Sequence, residues 1–79
     1  MKDYLVYIEP EENHYKDYEI EQSGNVVICK WGRIDASKQI KSFSFETPEQ
    51  AKLFYYQKVR EKFQKGYKNG NPLSIAKVI

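Results

Sequence analysis

Residues 26–45 read VVICKWGRIDASKQIKSFSF. The segment VVICKW (26–31) is strongly apolar and rich in β-branched and aromatic residues, and reads as a strand. Its apolar run stops at Trp31, and GRIDASK (32–38) is a polar turn. QIKSFSF (39–45) then alternates, with Phe43 and Phe45 facing one way, so a further strand follows the turn. Upstream, DYEIEQ (17–22) alternates too, with Tyr18 and Ile20 on one face and Asp17, Glu19 and Glu21 on the other. SGN (23–25) is a tight turn joining this strand to the apolar one as a hairpin.

The rest of the chain extends this pattern. YLVYIE (4–9), stopped by Pro10, reads as a strand, EENH (11–14) as a polar loop, and LSIAKVI (73–79) as a last strand. Between them, TPEQ (47–50) opens a helix, with Thr47 as N-cap, Pro48 at the first helical position and Gln50 as the capping-box partner. Ala51, Tyr55, Val59 and Phe63 recur every four residues and predict the buried stripe, with Phe54 at its flank, facing Tyr18, Ile20, Phe43 and Phe45. On that reading, Phe63→Ala costs roughly 3–5 kcal/mol. Gly66, after Lys65, is a natural helix stop. The expected fold class is α+β, a small antiparallel sheet of about four to five strands with one α-helix packed on one face. We expect one domain over residues 1–79, long enough to fold with a thin core.

No apolar run approaches the roughly 20 residues that span a membrane. MKDYLVYIEP lacks a signal peptide's apolar core and cleavage site, and the single Cys29 cannot close an internal disulfide. These features predict a cytoplasmic protein. The usual catalytic constellations are missing from the sequence. One His and one Cys do not make a metal cluster of recognised spacing. His14 lies in an acidic loop, and Cys29, beside Val27 and Ile28, reads as a buried small hydrophobe. No Gly-rich phosphate loop is present, since NGN and SGN are turns. We therefore expect no enzyme, no metal and no cofactor.

The net charge of +2 conceals a split. Residues 1–25 carry Lys2 and Lys16 against seven acids, whereas residues 26–79 carry eleven Lys or Arg against four. Such a basic half suits an anionic partner, or the two halves attract one another in the fold. Lys30, Arg33, Lys38 and Lys41 flank the Trp31 turn, and Lys62, Lys65 and Lys68 lie at the helix C-terminus, where cations also complement the dipole. Trp31 is then either a core anchor or an exposed ring that stacks on a base or sugar while its basic neighbours neutralise phosphate. The residues alone leave both open.

The stretch KWGRIDASKQIKSFSFETPEQAKLFYYQKVREKFQKGY (30–67) resembles the WGR domain, a small module found in DNA-dependent poly(ADP-ribose) polymerases and in many bacterial proteins. The resemblance covers nearly the whole chain. The family's upstream Asn, Lys and aromatic appear as Asn13, Lys16 and Tyr18, its strand into the motif as NVVICKWGR, its Phe before the helix as Phe45, and its helix pattern as Ala51, Tyr55, Lys62, Gly66 and Tyr67. One departure lies after the motif. The family's turn carries glycines where this chain has Asp35 and Lys38, although Gln39 is kept. The turn must then avoid φ > 0 there or adopt it at Asp35 at some cost.

The resemblance implies a non-catalytic nucleic-acid-binding module that recognises DNA ends, nicks or 5′-phosphorylated termini, as in DNA repair. In the family's polymerases the Trp packs against the terminal nucleotide of a broken duplex. Carried over, Trp31 would be the stacking ring, Asn13, Tyr15 and Lys16 would lie near the phosphate, and Lys62, Lys65 and Tyr67 would complete a basic rim, with Lys30 and Arg33 beside the motif. The alternative function is a protein-interaction adaptor that docks a partner protein through Arg33 and the exposed tyrosines and regulates or recruits it.

Overall fold

The computed structural model describes residues 1–70 of the chain. Five strands form one antiparallel sheet: β1 (Lys2–Glu9), β2 (His14–Ser23), β3 (Val26–Arg33), β4 (Gln39–Ser44) and β5 (Lys68–Asn69). Their order across the sheet is β4-β3-β2-β1-β5. One helix, α1 (Pro48–Gln64), packs against β2 and β3. This is the expected α+β class. The strand foreseen over 73–79 lies outside the described residues. Within them, the sheet gains a two-residue β5 along β1, continued by a hydrogen bond from the Gly70 amide to the Tyr4 carbonyl (2.9 Å).

The β2–β3 hairpin carries the Trp31 motif. Lys16 pairs with Arg33, Tyr18 with Trp31, Ile20 with Cys29 and Gln22 with Val27. Because side chains alternate along a strand, all of these share one face. Gly24, at φ 59, provides the left-handed residue that a two-residue turn requires. The Asn25 side chain donates to the Phe45 carbonyl (2.7 Å) and ties the turn to the end of β4.

The helix termini form as the sequence foretold. The Gln50 backbone amide donates to the Thr47 hydroxyl (3.2 Å), and the Gln50 side-chain Oε1 accepts from the Glu46 amide (3.1 Å), one residue before the N-cap. At the other end, the Gly66 amide donates to the Phe63 carbonyl and the Tyr67 amide to the Lys62 carbonyl. That pair of bonds is a Schellman closure, with Gly66 at φ 102. A side chain there would also strike the Tyr7 ring, 3.0 Å from an ideal Cβ.

Leu5, Tyr18, Ile20, Val27, Cys29, Ala51 and Tyr55 make the buried core between sheet and helix. The Tyr55 hydroxyl donates to the Asp3 carboxylate, so this ring crosses the core and still satisfies its polar end. Phe54 leans toward β4, its ring 4.6 Å from Phe43 and 5.1 Å from Phe45.

Phe63 departs from the predicted stripe. It is 42% exposed, while Ala51 and Tyr55 are buried and Val59 packs at the edge of the core. A four-residue step overshoots a helical turn by about 40°, so three steps from Ala51 carry Phe63 about 120° round the helix. We therefore expect Phe63→Ala to cost less than about 1 kcal/mol, as for exposed positions. Tyr55→Ala should cost about 3–5 kcal/mol. Urea denaturation of the two variants checks the contrast.

Candidate nucleic-acid interface

The site is built where β3 runs past the C-terminal end of the helix. Core positions Val27 and Cys29 are followed on the same face by Trp31, which is only half-buried. Its ring lies 6.3 Å from that of Tyr18. Asn13, His14, Lys16, Trp31, Arg33 and Tyr67 line a cleft of about 430 Å³, with Gly32 completing its wall. A second, adjoining cleft brings Lys62 and Lys65 to Tyr7, His14, Lys16 and Tyr67.

Each part of the Trp-Gly-Arg motif has a local reason. An ideal Cβ on Gly32 would sit 3.3 Å from the Ser37 carbonyl oxygen and 3.5 Å from Lys38 Cδ, so glycine lets the returning turn lie against the strand. Arg33 donates to the Asn13 backbone oxygen (3.1 Å) and to Asn13 Oδ1 (3.2 Å), and its guanidinium lies 5.4 Å from the centre of the Tyr15 ring. Arg33 thereby holds the Asn13 corner, itself in the left-handed conformation at φ 58, against the site.

The turn that lacks the family's glycines is secured by other means. Asp35 takes the left-handed conformation, at φ 69. Lys38 folds back, donates to the Arg33 carbonyl, and forms an ion pair with Asp17 at 2.9 Å. Asp17 is buried, 6% exposed, and also accepts from the Tyr4 hydroxyl at 2.9 Å. A buried carboxylate is tolerated when paired in this way. Lys38 thus occupies a structural post.

Lys62 has the most unusual surroundings of the basic residues. Its amine lies 4.5 Å from the centre of the Tyr18 ring and 5.5 Å from that of Tyr67. Burial, and then the charge of Lys65, lower its pKa from the ordinary lysine value. The flanking Lys58 and Lys65 both pair with Glu61, at 3.6 Å each, and Lys58 above all holds that carboxyl below its usual range. Tyr67 is pushed up by burial and then by the Asp17 charge, and stays neutral as a hydrogen-bonding group.

The structure therefore gathers Trp31, Arg33, Asn13, Lys16, Lys62, Lys65 and Tyr67 around connected clefts. Tyr15, one residue before Lys16 on the pleated strand, lines neither cleft and sits under the Arg33 guanidinium. Lys30 does not join them. One residue before Trp31 on a pleated strand, it points to the opposite face, 3.9 Å from Glu19. His14 is the residue that sequence reasoning set aside, and it lines both clefts. Its place at the start of β2, in register with Glu9, puts it on the same face as Lys16.

The family model for the WGR domain matches residues 1–72. The chain belongs to the WGR domain family. WGR domains are nucleic-acid-binding modules rather than catalysts. A crystal structure of a protein from Bacteroides fragilis is similar over the whole of this chain, with a TM-score of 0.85 and 24% identity. The chain spans 22% of that protein's length, and the likeness is one of fold. No curated protein matches.

The turn offers a direct test. Lys38→Met is expected to cost about 1–3 kcal/mol, the usual penalty when a buried polar group loses its partner. Asp35→Gly is expected to be neutral or to stabilise by up to about 1 kcal/mol, because glycine adopts φ > 0 without strain. Thermal unfolding followed by circular dichroism measures both.

Proposed function

We propose that this WGR domain binds DNA at strand ends, nicks or 5′-phosphorylated termini. The observation that carries the reading is a half-buried Trp31 ring at the mouth of a cleft edged by Lys16 and Arg33 and continued by Lys62 and Lys65. An aromatic face supplies stacking that tolerates any base, and the surrounding cations neutralise phosphate. A terminal nucleotide offers both at once, an uncovered base or sugar face and a nearby phosphate. Stacking on a duplex interior would first require the bases to part, which costs a few kcal/mol.

In this reading Trp31 stacks on the terminal nucleotide. Lys16 and Asn13 meet the phosphate, with Tyr67 as a neutral donor, and Lys62 and Lys65 attract the following backbone. Arg33 acts by fixing the Asn13 corner. Those same bonds weigh against the adaptor alternative, since a guanidinium already spent on Asn13 and stacked on Tyr15 has little left for a docking partner.

Binding to end-bearing DNA should weaken with salt with a log–log slope of about −3, for about 3 phosphates neutralised. Affinity that does not change between low and moderate salt would overturn the proposal. Trp31→Ala should lower affinity by about 1–3 kcal/mol while the domain stays folded. Lys16→Ala should reduce the salt slope by about 1 without changing stability. Fluorescence anisotropy on blunt, nicked, 5′-phosphorylated and intact circular DNA reads all three.

A further inference from the structure

Trp31 also lines a further cleft. Between β4 and α1, Tyr18, Trp31, Phe43, Lys41, Lys58 and Lys62 enclose about 340 Å³, within the range of small-ligand sites. Its walls are aromatic and its rim is cationic. Each lysine is held over a ring. The Lys41 amine lies 5.1 Å from the centre of Phe43, Lys58 5.6 Å from Phe54, and Lys62 4.5 Å from Tyr18. Such contacts fix a flexible amine in place before any ligand arrives. Glu61 balances Lys58. Among the described residues, no carboxylate lies within ion-pairing distance of Lys41 or Lys62. The cleft is thus left with positive charge beside ring faces, the chemistry of a nucleotide's phosphate and base.

We propose that this cleft holds an unpaired nucleotide of a DNA overhang, so that Trp31 borders two strand paths. The inference rests on the DNA-end reading and goes beyond it by assigning Lys41, Lys58 and Phe43 to a second subsite. The phosphate of the unpaired nucleotide meets Lys41 and Lys62, and its base lies against Phe43 or Trp31. The Tyr18 hydroxyl is already spent on Cys29 Sγ (3.0 Å), so base edges find few polar groups there and binding does not depend on base identity.

Lys41 permits a clean experiment, because it is exposed on an edge strand and takes no part in the first cleft. The domain is titrated with three 5′-phosphorylated duplexes: blunt, with a one-nucleotide 3′ overhang, and with a one-nucleotide 5′ overhang. The wild type should bind one overhang about fivefold more tightly than the blunt end, the low end of what one stacked base supplies. Lys41→Ala should remove most of that advantage and leave blunt-end affinity unchanged, and Lys41→Glu should make the overhang unfavourable. Lys30→Ala, on the opposite face of the sheet, should change neither value. Circular dichroism confirms that each variant is folded. Blunt-end binding with no preference for either overhang overturns the second subsite alone. So does an equal effect of Lys41→Ala on blunt and overhanging ends, or of Lys30→Ala on the overhang. Absence of binding to every duplex overturns the DNA-end reading and this inference with it.

Discussion

The register of β2 against β3 is the constraint on which the molecule depends. Pairing Tyr18 with Trp31 and Lys16 with Arg33 sets Ile20 and Cys29 under the helix and carries the same face outward to the Trp ring. A slip of one residue would exchange the faces, sending Trp31 to the open side of the sheet and Lys30 into the core. Burial of Ile20, Val27 and Cys29 opposes that slip, so the hydrophobic core and the site are fixed by one set of hydrogen bonds. Tyr18 belongs to both. It packs in the core, its hydroxyl meets Cys29, and its ring is a seat for Lys62.

The pleat also sorts the charges. Asp17 and Glu19 project from the face of β2 away from the helix, where they meet Lys38, and Lys2 and Lys30 respectively. On the helix side Lys41, Lys58 and Lys62 gather around aromatic rings, with Glu61 paired with Lys58 and Lys65. The reading in which the two halves of the chain attract one another holds on the face away from the helix, where Asp17 meets Lys38 and Glu19 meets Lys30. Acids from the early half engage bases of the later half on one side, and the remaining bases concentrate on the other. A modest net charge thus hides a strongly polarised sheet.

Much of this was legible in the sequence, for physical reasons. Alternation in DYEIEQ and QIKSFSF reports a sheet with one covered face, and Thr47, Pro48, Gln50 and Gly66 mark helix ends through hydrogen bonds that any helix must satisfy. The β-hairpin turn at Gly24 needs no tertiary information. Phe63 misled because equal spacing by four looks like one face, while the true stripe passes through Lys58 and Lys62, whose aliphatic stems cover apolar surface. Lys30 lies next to Trp31 in sequence, yet the pleat separates them. Lys41 and Lys58 could not be grouped in advance, because they meet only when β4 and the helix cross the same strand. The anchoring of Lys38 on Asp17 joins residues 21 apart and has no local signature.

The Schellman closure at Gly66 has a further consequence. The first cleft draws Asn13 and Lys16 from the early part of the chain and Tyr67 from the late part, and Tyr67 arrives only when the helix has docked and turned back at Gly66. The hairpin carrying Trp31 closes over a short loop, whereas the contact with Tyr67 spans most of the described chain and is the costlier to close. The cleft is therefore whole only when the helix has docked and turned back, so any variant that loosens the Gly66 closure opens the cleft as well as the helix end.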